Sequence, residues 1–311
     1  MAEAFIVNQC IHRIFLGLAI TAFAAALPIS AQAKELPQEF AARKGVTKLM
    51  PLRPWNIDFA QNRCILSRLF GEEEAPHLLF LEQAAPLSSF GMTIAGPGLR
   101  KFRPGQRTYL GLLNDVPMNV LSGDQRGQVD GIGPAIILSS VGISPSLEEA
   151  DESKPSRTHA IGIDLGQAAK MDRVVLKVGS SGLSYETGNM MPPLQALNAC
   201  TDDLMTSWGL NPDEHRQYTP ADWLNRDQIV KAIQRDYPRA AQYRGETGIM
   251  RMRLIVEADG SVGDCHIEHT TQNTLLKSPA CQAMEKARFA PARGADGKAM
   301  RSFFATVISY V

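Results

Sequence analysis

Between residues 248 and 311 the apolar spacing of this chain changes twice, from a period of two to helical spacing and back to two, and few folds satisfy that order. Met250, Arg251, Met252, Arg253 and Leu254 alternate apolar with basic, the pattern of a half-buried strand. Ala258, Asp259, Gly260 and Ser261 carry turn chemistry, and the alternation resumes from Val262 to His269, so the two runs predict a hairpin with an Asp-Gly connection. Ser278 is placed to cap a following helix, with Pro279 tolerated at its first position. Ala280, Met284 and Ala287, flanked by Cys281 and Phe289, form the apolar side of that helix, and Pro291 ends it. Residues 302–311 are rich in Phe, Thr, Val, Ile and Tyr, which suits a closing strand on a pleated, half-buried surface.

Several separated features of this stretch agree in order and spacing. Gly248 is followed by Val256, Asp259-Gly260 and Val262; the helix closes on Ala287-Arg288-Phe289-Ala290-Pro291-Ala292-Arg293; then come Asp296-Gly297-Lys298 and a terminal strand. Together they resemble the C-terminal domain of TonB-type energy transducers of Gram-negative bacteria. Tyr237-Pro238, about a strand's length upstream, stands where that family often carries Tyr-Pro. The resemblance covers roughly the last quarter of the chain, and its most specific part is ARFAPAR followed by DGK. It implies that the last strand pairs with a short segment at the amino terminus of an outer-membrane receptor. On that analogy the partner-binding edge is Ser302, Phe303, Phe304, Ala305, Thr306, Val307, Ile308, Ser309 and Tyr310. Main-chain groups would supply affinity, and one alternate set of side chains, Phe303, Ala305, Val307 and Ser309 or Phe304, Thr306, Ile308 and Tyr310, would supply selectivity. The sequence leaves open which set faces solvent.

At the other end, residues 1–33 have the form of a targeting segment. His12 and Arg13 precede the run IFLGLAITAFAAALPIS, and Ala31-Gln32-Ala33 offers small residues for cleavage before Lys34. The apolar run is short for a membrane span, so export to the periplasm with cleavage is expected. An uncleaved run would instead leave an inner-membrane anchor with periplasmic domains, and only then a membrane contact. Removing this segment takes Cys10 with it and leaves Cys64, Cys200, Cys265 and Cys281. In an oxidising compartment four cysteines read as two disulfides with three possible pairings. Cys265 lies on the second strand of the closing module and Cys281 on the helix that packs on it, so these two are paired, which leaves Cys64 with Cys200.

Residues 34–54 read as a polar, Pro-punctuated lead-in. From Trp55 the runs NIDFA, CILSRLF, HLLFLEQ, FGMTIAG, TYLGLL, MNVL, AIILSSVGI, AIGIDL, RVVLKV and LSYETG are short and apolar-rich, and turn residues separate most of them. That punctuation predicts a mainly antiparallel sandwich or barrel-like sheet. Residues 148–157 (EEADESKPSR) read as an exposed loop within it. Leu194, Leu197, Thr201, Leu204, Met205 and Trp208 recur at helical spacing after Pro192 and Pro193 and close the domain near Gly209. A Cys64–Cys200 bridge would staple that helix to an early strand, worth about 4–5 kcal/mol by chain entropy. Residues 210–222 follow as a short polar linker, with Thr219, Pro220 and Asp222 as start signals for a helix through Trp223, Ile229, Ile233 and Tyr237. The expected class is α+β: a β-rich domain at 55–209 of unknown role closed by a helix, then a small β-β-α-β module at 223–311.

The chemistry read from the residues points to binding. The 32 Lys+Arg and 32 Asp+Glu cancel, which gives no electrostatic footprint for nucleic acid. In CHIEH, strand geometry separates Cys265 from His269 by about 13 Å, and His266 with Glu268 makes only two ligands, so no metal site is expected. Ser180 and Ser181 in VGSSG form no nucleophile elbow, Asp164 in GIDLG is followed by Leu where an aspartic protease carries Thr or Ser, and no glycine-rich loop opens a helix. Neither a catalytic residue nor a cofactor is expected. The expected function is non-enzymatic recognition of an envelope protein or peptide by strand addition. Two alternatives remain: an anchored energy transducer for outer-membrane transport, or a β domain that is a hydrolase or ligand-binding unit positioned by the module.

Overall fold

The computed structural model describes residues 45–114, 116–121, 123–143, 161–244, 248–269 and 279–310. The first part of the chain supplies strands β1 (Val46–Leu49), β2 (Asn56–Ala60), β3 (Arg63–Glu72), β4 (Ala75–Gln83), β5 (Ser89–Ala95), β6 (Thr108–Gly111), β7 (Asn119–Val120), β8 (Gln125–Val129), β9 (Gly133–Gly142), β10 (Val174–Val178) and β11 (Ser181–Tyr185). Helices α1 (Leu165–Ala168) and α2 (Met191–Ser207) accompany them. Among the described residues these strands make a six-stranded sheet in the order β2-β3-β4-β5-β9-β8 and a five-stranded sheet in the order β1-β11-β10-β6-β7. Among the described residues no closed barrel forms.

The period-two alternation explains the stacking. Leu66, Phe70, Leu79, Leu81, Met92, Ile94, Ile136 and Leu138 share the inner face of the six-stranded sheet and meet Leu110, Val174, Leu176, Leu183 and Tyr185 of the second sheet in one buried cluster. Each such side chain contributes about 1.5–3 kcal/mol relative to an exposed one. Helix α2 buries Leu194, Leu197, Cys200, Thr201, Leu204 and Met205; Leu194, Leu197, Cys200 and Leu204 join that cluster, while Met205 packs with Leu210, Ile255 and Phe303. Its start is set by Asn189, whose side-chain oxygen accepts the Met191 N–H at 2.9 Å, with Pro192 and Pro193 in the first turn where no intrahelical donor is needed.

Three sequence expectations for this part need correction. The lead-in contains β1, which pairs parallel with β11, so the second sheet is not purely antiparallel. Residues 161–165 of AIGIDL are not a strand: Asp164 caps α1, its Oδ1 accepting the Gly166 and Gln167 N–H groups at 2.8 and 3.1 Å. Residues 125–129 (QRGQV) form β8, a strand without apolar alternation because it lies at the sheet's edge. The loop expected at 148–157 lies outside the described residues, as does the targeting segment.

The rest of the chain adds β12 (Asp222–Trp223), β13 (Gly248–Val256), β14 (Val262–His269), β15 (Phe289–Ala290), β16 (Ala292–Arg293), β17 (Ala299–Met300) and β18 (Ser302–Tyr310), with helices α3 (Arg226–Arg235), α4 (Arg239–Arg244) and α5 (Ala280–Met284). Strands β14-β13-β18 form an antiparallel three-stranded sheet with β13 central. Met252, Leu254 and Val256 of β13 pack with Ile229, Ile233, Ala280, Met284, Ala287 and Phe289. Gly260 closes the hairpin at φ +84°, and a Cβ there would overlap the Phe289 carbonyl oxygen, so glycine is required twice over.

The helix expected from Thr219 starts later. Asp222 and Trp223 pair instead with Ala290 and Phe289, and Trp223 stacks on Phe289 with ring centroids 6.0 Å apart. Asn225 then accepts the Arg288 N–H on its side-chain oxygen at 2.9 Å, and α3 begins at Arg226. The later helix is also shorter than expected, ending at Met284 with Phe289 in β15, so Pro291 does not terminate it. Ser278 lies outside the described residues. The stretch expected to be a polar linker contains a 3-10 turn at Glu214–Gln217, and Leu210, His215, Tyr218 and Ala221 are buried there.

Candidate functional site

Strand β18 pairs with β13 along its whole length, from Ser302↔Val256 to Tyr310↔Gly248. Its opposite edge is paired with no described strand. A row of main-chain donors and acceptors therefore faces away from the sheet, the feature that strand-adding partners use. Five of the side chains in the two alternate sets are engaged within the protein. Phe303 and Ala305 pack with Ala85, Met205 and Leu210, and Val307 packs with Ile137 and Ile249. Phe304 and Ile308 pack on the other side with Trp223, Phe289 and the helices. Among the described residues, the feature of this strand left without a strand partner is its outer backbone edge.

The face of the three-stranded sheet turned from its helices rests on the β domain. Ile249, Arg251, Arg253 and Ile255 of β13 are all buried there, so the basic residues that alternation assigned to a solvent face are not on one. Arg251, 7% exposed, donates from Nε and Nη2 to Oε1 of Glu82, itself 2% exposed, at 3.2 and 3.1 Å. Its Nη1 and Nη2 also donate to the Ser139 carbonyl at 3.1 and 3.2 Å. Arg63 extends the network, 3.9 Å from Glu82 and 3.4 Å from Glu268 of β14. The Arg253 guanidinium lies 4.4 Å from the centre of the Trp208 ring and 3.2 Å from Asp264. Burial pushes its pKa below the usual guanidinium value. Arg301 donates to the Trp208 carbonyl at 2.8 Å and to Glu257 at 3.1 Å.

At the root of β18, Phe303 meets the rings of Trp208 and His215, each at 6.1 Å between centroids. His215 is 1% exposed, and its Nδ1 lies 2.8 Å from the Asn211 carbonyl, a contact that requires the proton on Nδ1. Burial lowers its pKa, with the Asn211 carbonyl and Glu214 pulling the other way. Burial also raises Tyr218 beside it to about 12. Sequence reasoning singled out Phe303 and Trp208 but not His215 or Tyr218, whose surroundings depend on residues tens of positions away.

Cys64 of β3 is bridged to Cys200 of α2, and Cys265 of β14 to Cys281 of α5, with Cα atoms 5.9 and 5.6 Å apart. In CHIEH, Cys265 is thus already bonded, and His266 Nε2 lies 3.4 Å from Glu268. Among the described residues no group of three or more His, Cys, Asp or Glu is arranged to hold a metal ion, and no helix is long and apolar enough to cross a membrane. A cavity of about 280 Å³ opens between the two sheets of the β domain, lined by Leu110, Leu113, Leu121, Leu138 and Val141. His77 lies elsewhere in the β domain, its Nε2 accepting the Gly98 N–H at 3.0 Å, and burial lowers its pKa.

Residues 233–310 match the family model described as Gram-negative bacterial TonB protein C-terminal. That family belongs to envelope energy transduction, its domains interact with outer-membrane receptors, and it is not an enzyme family. No curated protein matches the chain.

Proposed function

We propose that this chain, with a TonB-type module at residues 233–310, is a non-enzymatic periplasmic binding protein that recognises an envelope protein or peptide by strand addition to the outer edge of β18. The observation that carries the reading is the one-sided pairing of β18, which has β13 on one edge and no described strand on the other. Phe303, Ala305 and Val307 of one set and Phe304 and Ile308 of the other are engaged within the protein, so affinity would come from the main chain and selectivity from what flanks the edge. In this reading residues 1–33 are removed on export, residues 55–209 together with β1 form the β domain, and residues 210–222 join it to the module.

A photo-crosslinking residue at Thr306, introduced in intact envelopes, is expected to trap a partner segment that the same residue at Asp264 on β14 does not trap. Equal trapping at both positions, or none at Thr306, would refute the assignment. In a chain without the crosslinker, Thr306→Pro removes a backbone donor and is expected to abolish co-purification of the trapped partner with a folded protein. Sequencing the mature amino terminus separates this reading from the anchored transducer, since a chain beginning at Lys34 has no anchor in residues 14–29.

A further inference from the structure

The contact between the closing module and the β domain is a built receptacle for one side chain. Glu82, Gly91 and Ser139 stand on three adjacent strands, β4, β5 and β9, with Glu82 directly opposite Gly91. Two β9 residues, Ser139 and Ser140, face the single Gly91, because the β5–β9 register shifts between Phe90 and Met92. This bulge turns the Ser139 carbonyl toward the module, where it accepts from Arg251. Gly91 leaves the space: a Cβ there would fall on Nη2 of Arg251 and lie 2.8 Å from its Cζ. Glu82 supplies the charge, held in turn by Arg63. A missing side chain, a bulge and a buried carboxylate thus converge on one guanidinium, which arrives from 169 residues away.

We propose that Arg251 is a latch that makes the module and the β domain a single mechanical unit, with Glu82, Gly91 and Ser139 as its keeper. Strand β18 lies beside β13 through the paired register from Val256 to Gly248, and Arg251 sits in the middle of it, opposite Val307. Tension applied to β18 passes to β13, through Arg251 to Glu82, and so into the β sandwich, and the 210–222 segment does not act as a swivel. This inference does not depend on β18 capturing a strand.

The test uses the full chain with both disulfides intact. Scanning calorimetry and protease cleavage within residues 210–222 are compared for wild type, Gly91→Ala, Arg251→Ala and the double variant. Wild type is expected to melt in one transition. Gly91→Ala keeps both charges and the φ of an ordinary residue, yet ejects the guanidinium, and is expected to split melting into two transitions with the β-domain transition unmoved. Cleavage within 210–222 is expected to rise on the order of tenfold as the open population grows. Arg251→Ala is expected to do the same, and Gly91→Ala added to it to change little more, since the two nearest clashing atoms belong to Arg251 and only Glu82 Cγ, at 3.1 Å, remains. Single-transition melting with unchanged cleavage in Gly91→Ala, or full additivity in the double variant, would overturn the latch. If Arg251→Ala unfolds both units by stranding Glu82, the Gly91→Ala result alone decides.

Discussion

His77 and His215 show how far a single side chain can be read. Each is buried with one ring nitrogen committed: His77 Nε2 accepts from the Gly98 N–H, and His215 Nδ1 faces the Asn211 carbonyl. Burial holds both pKa values below 6.5 in the folded protein, while the unfolded chain titrates near that value. Between the two values the unfolded state binds more protons, so their contribution is fully present above about pH 6.5 and is lost as pH falls through the folded pKa values. His215→Phe is therefore expected to flatten the loss of stability between pH 7 and pH 5, read as the shift in urea midpoint. A loss as steep as that of wild type would show that His215 is not held neutral. Cysteine was the residue type most legible without coordinates, since compartment and number limit its pairings. Arg251 was the least legible, because alternation with apolar neighbours says only that it faces away from the module's own core, not whether water or another domain lies there.

At the scale of elements, β13 had the right type and approximate extent in the sequence and the wrong second face. Leu254 lies on its apolar side, fully buried, with α5 and Phe289 across from it. Leu254→Ala is expected to cost about 2–5 kcal/mol by equilibrium denaturation. A loss below 1 kcal/mol would mean that the helices repack over the gap. Helix α2 was legible because its apolar stripe keeps a 3.6-residue period over several turns. The short elements were not. Two-residue β12 and β15 exist because Trp223 stacks on Phe289, and β8 exists because it is held at the edge of a larger sheet. Intrinsic preference in such short segments is weaker than the pairing that places them.

For the whole molecule, the disulfides rank the two closures. The Cys64–Cys200 bridge spans a separation of 136 residues and Cys265–Cys281 one of 16. Chain entropy makes the first worth about 4–5 kcal/mol and the second about 3 kcal/mol. Cys64→Ala with Cys200→Ala is accordingly expected to lower the denaturation midpoint more than Cys265→Ala with Cys281→Ala; the reverse order would argue that residual structure in the unfolded chain already closes the long loop. The α+β class, the β-β-α-β order of the module and the TonB resemblance rest on periodicity, turn residues and short spacings, which are local and written into consecutive positions. Chain order alone could not say which surfaces would meet. The module's sheet lies on the β domain because a glycine, a bulge and a carboxylate on three different strands come together only after the sandwich has formed. That β18 has a partner on one edge and none among the described strands on the other is likewise a property of strand order within a sheet, decided by long-range pairing that no local pattern encodes.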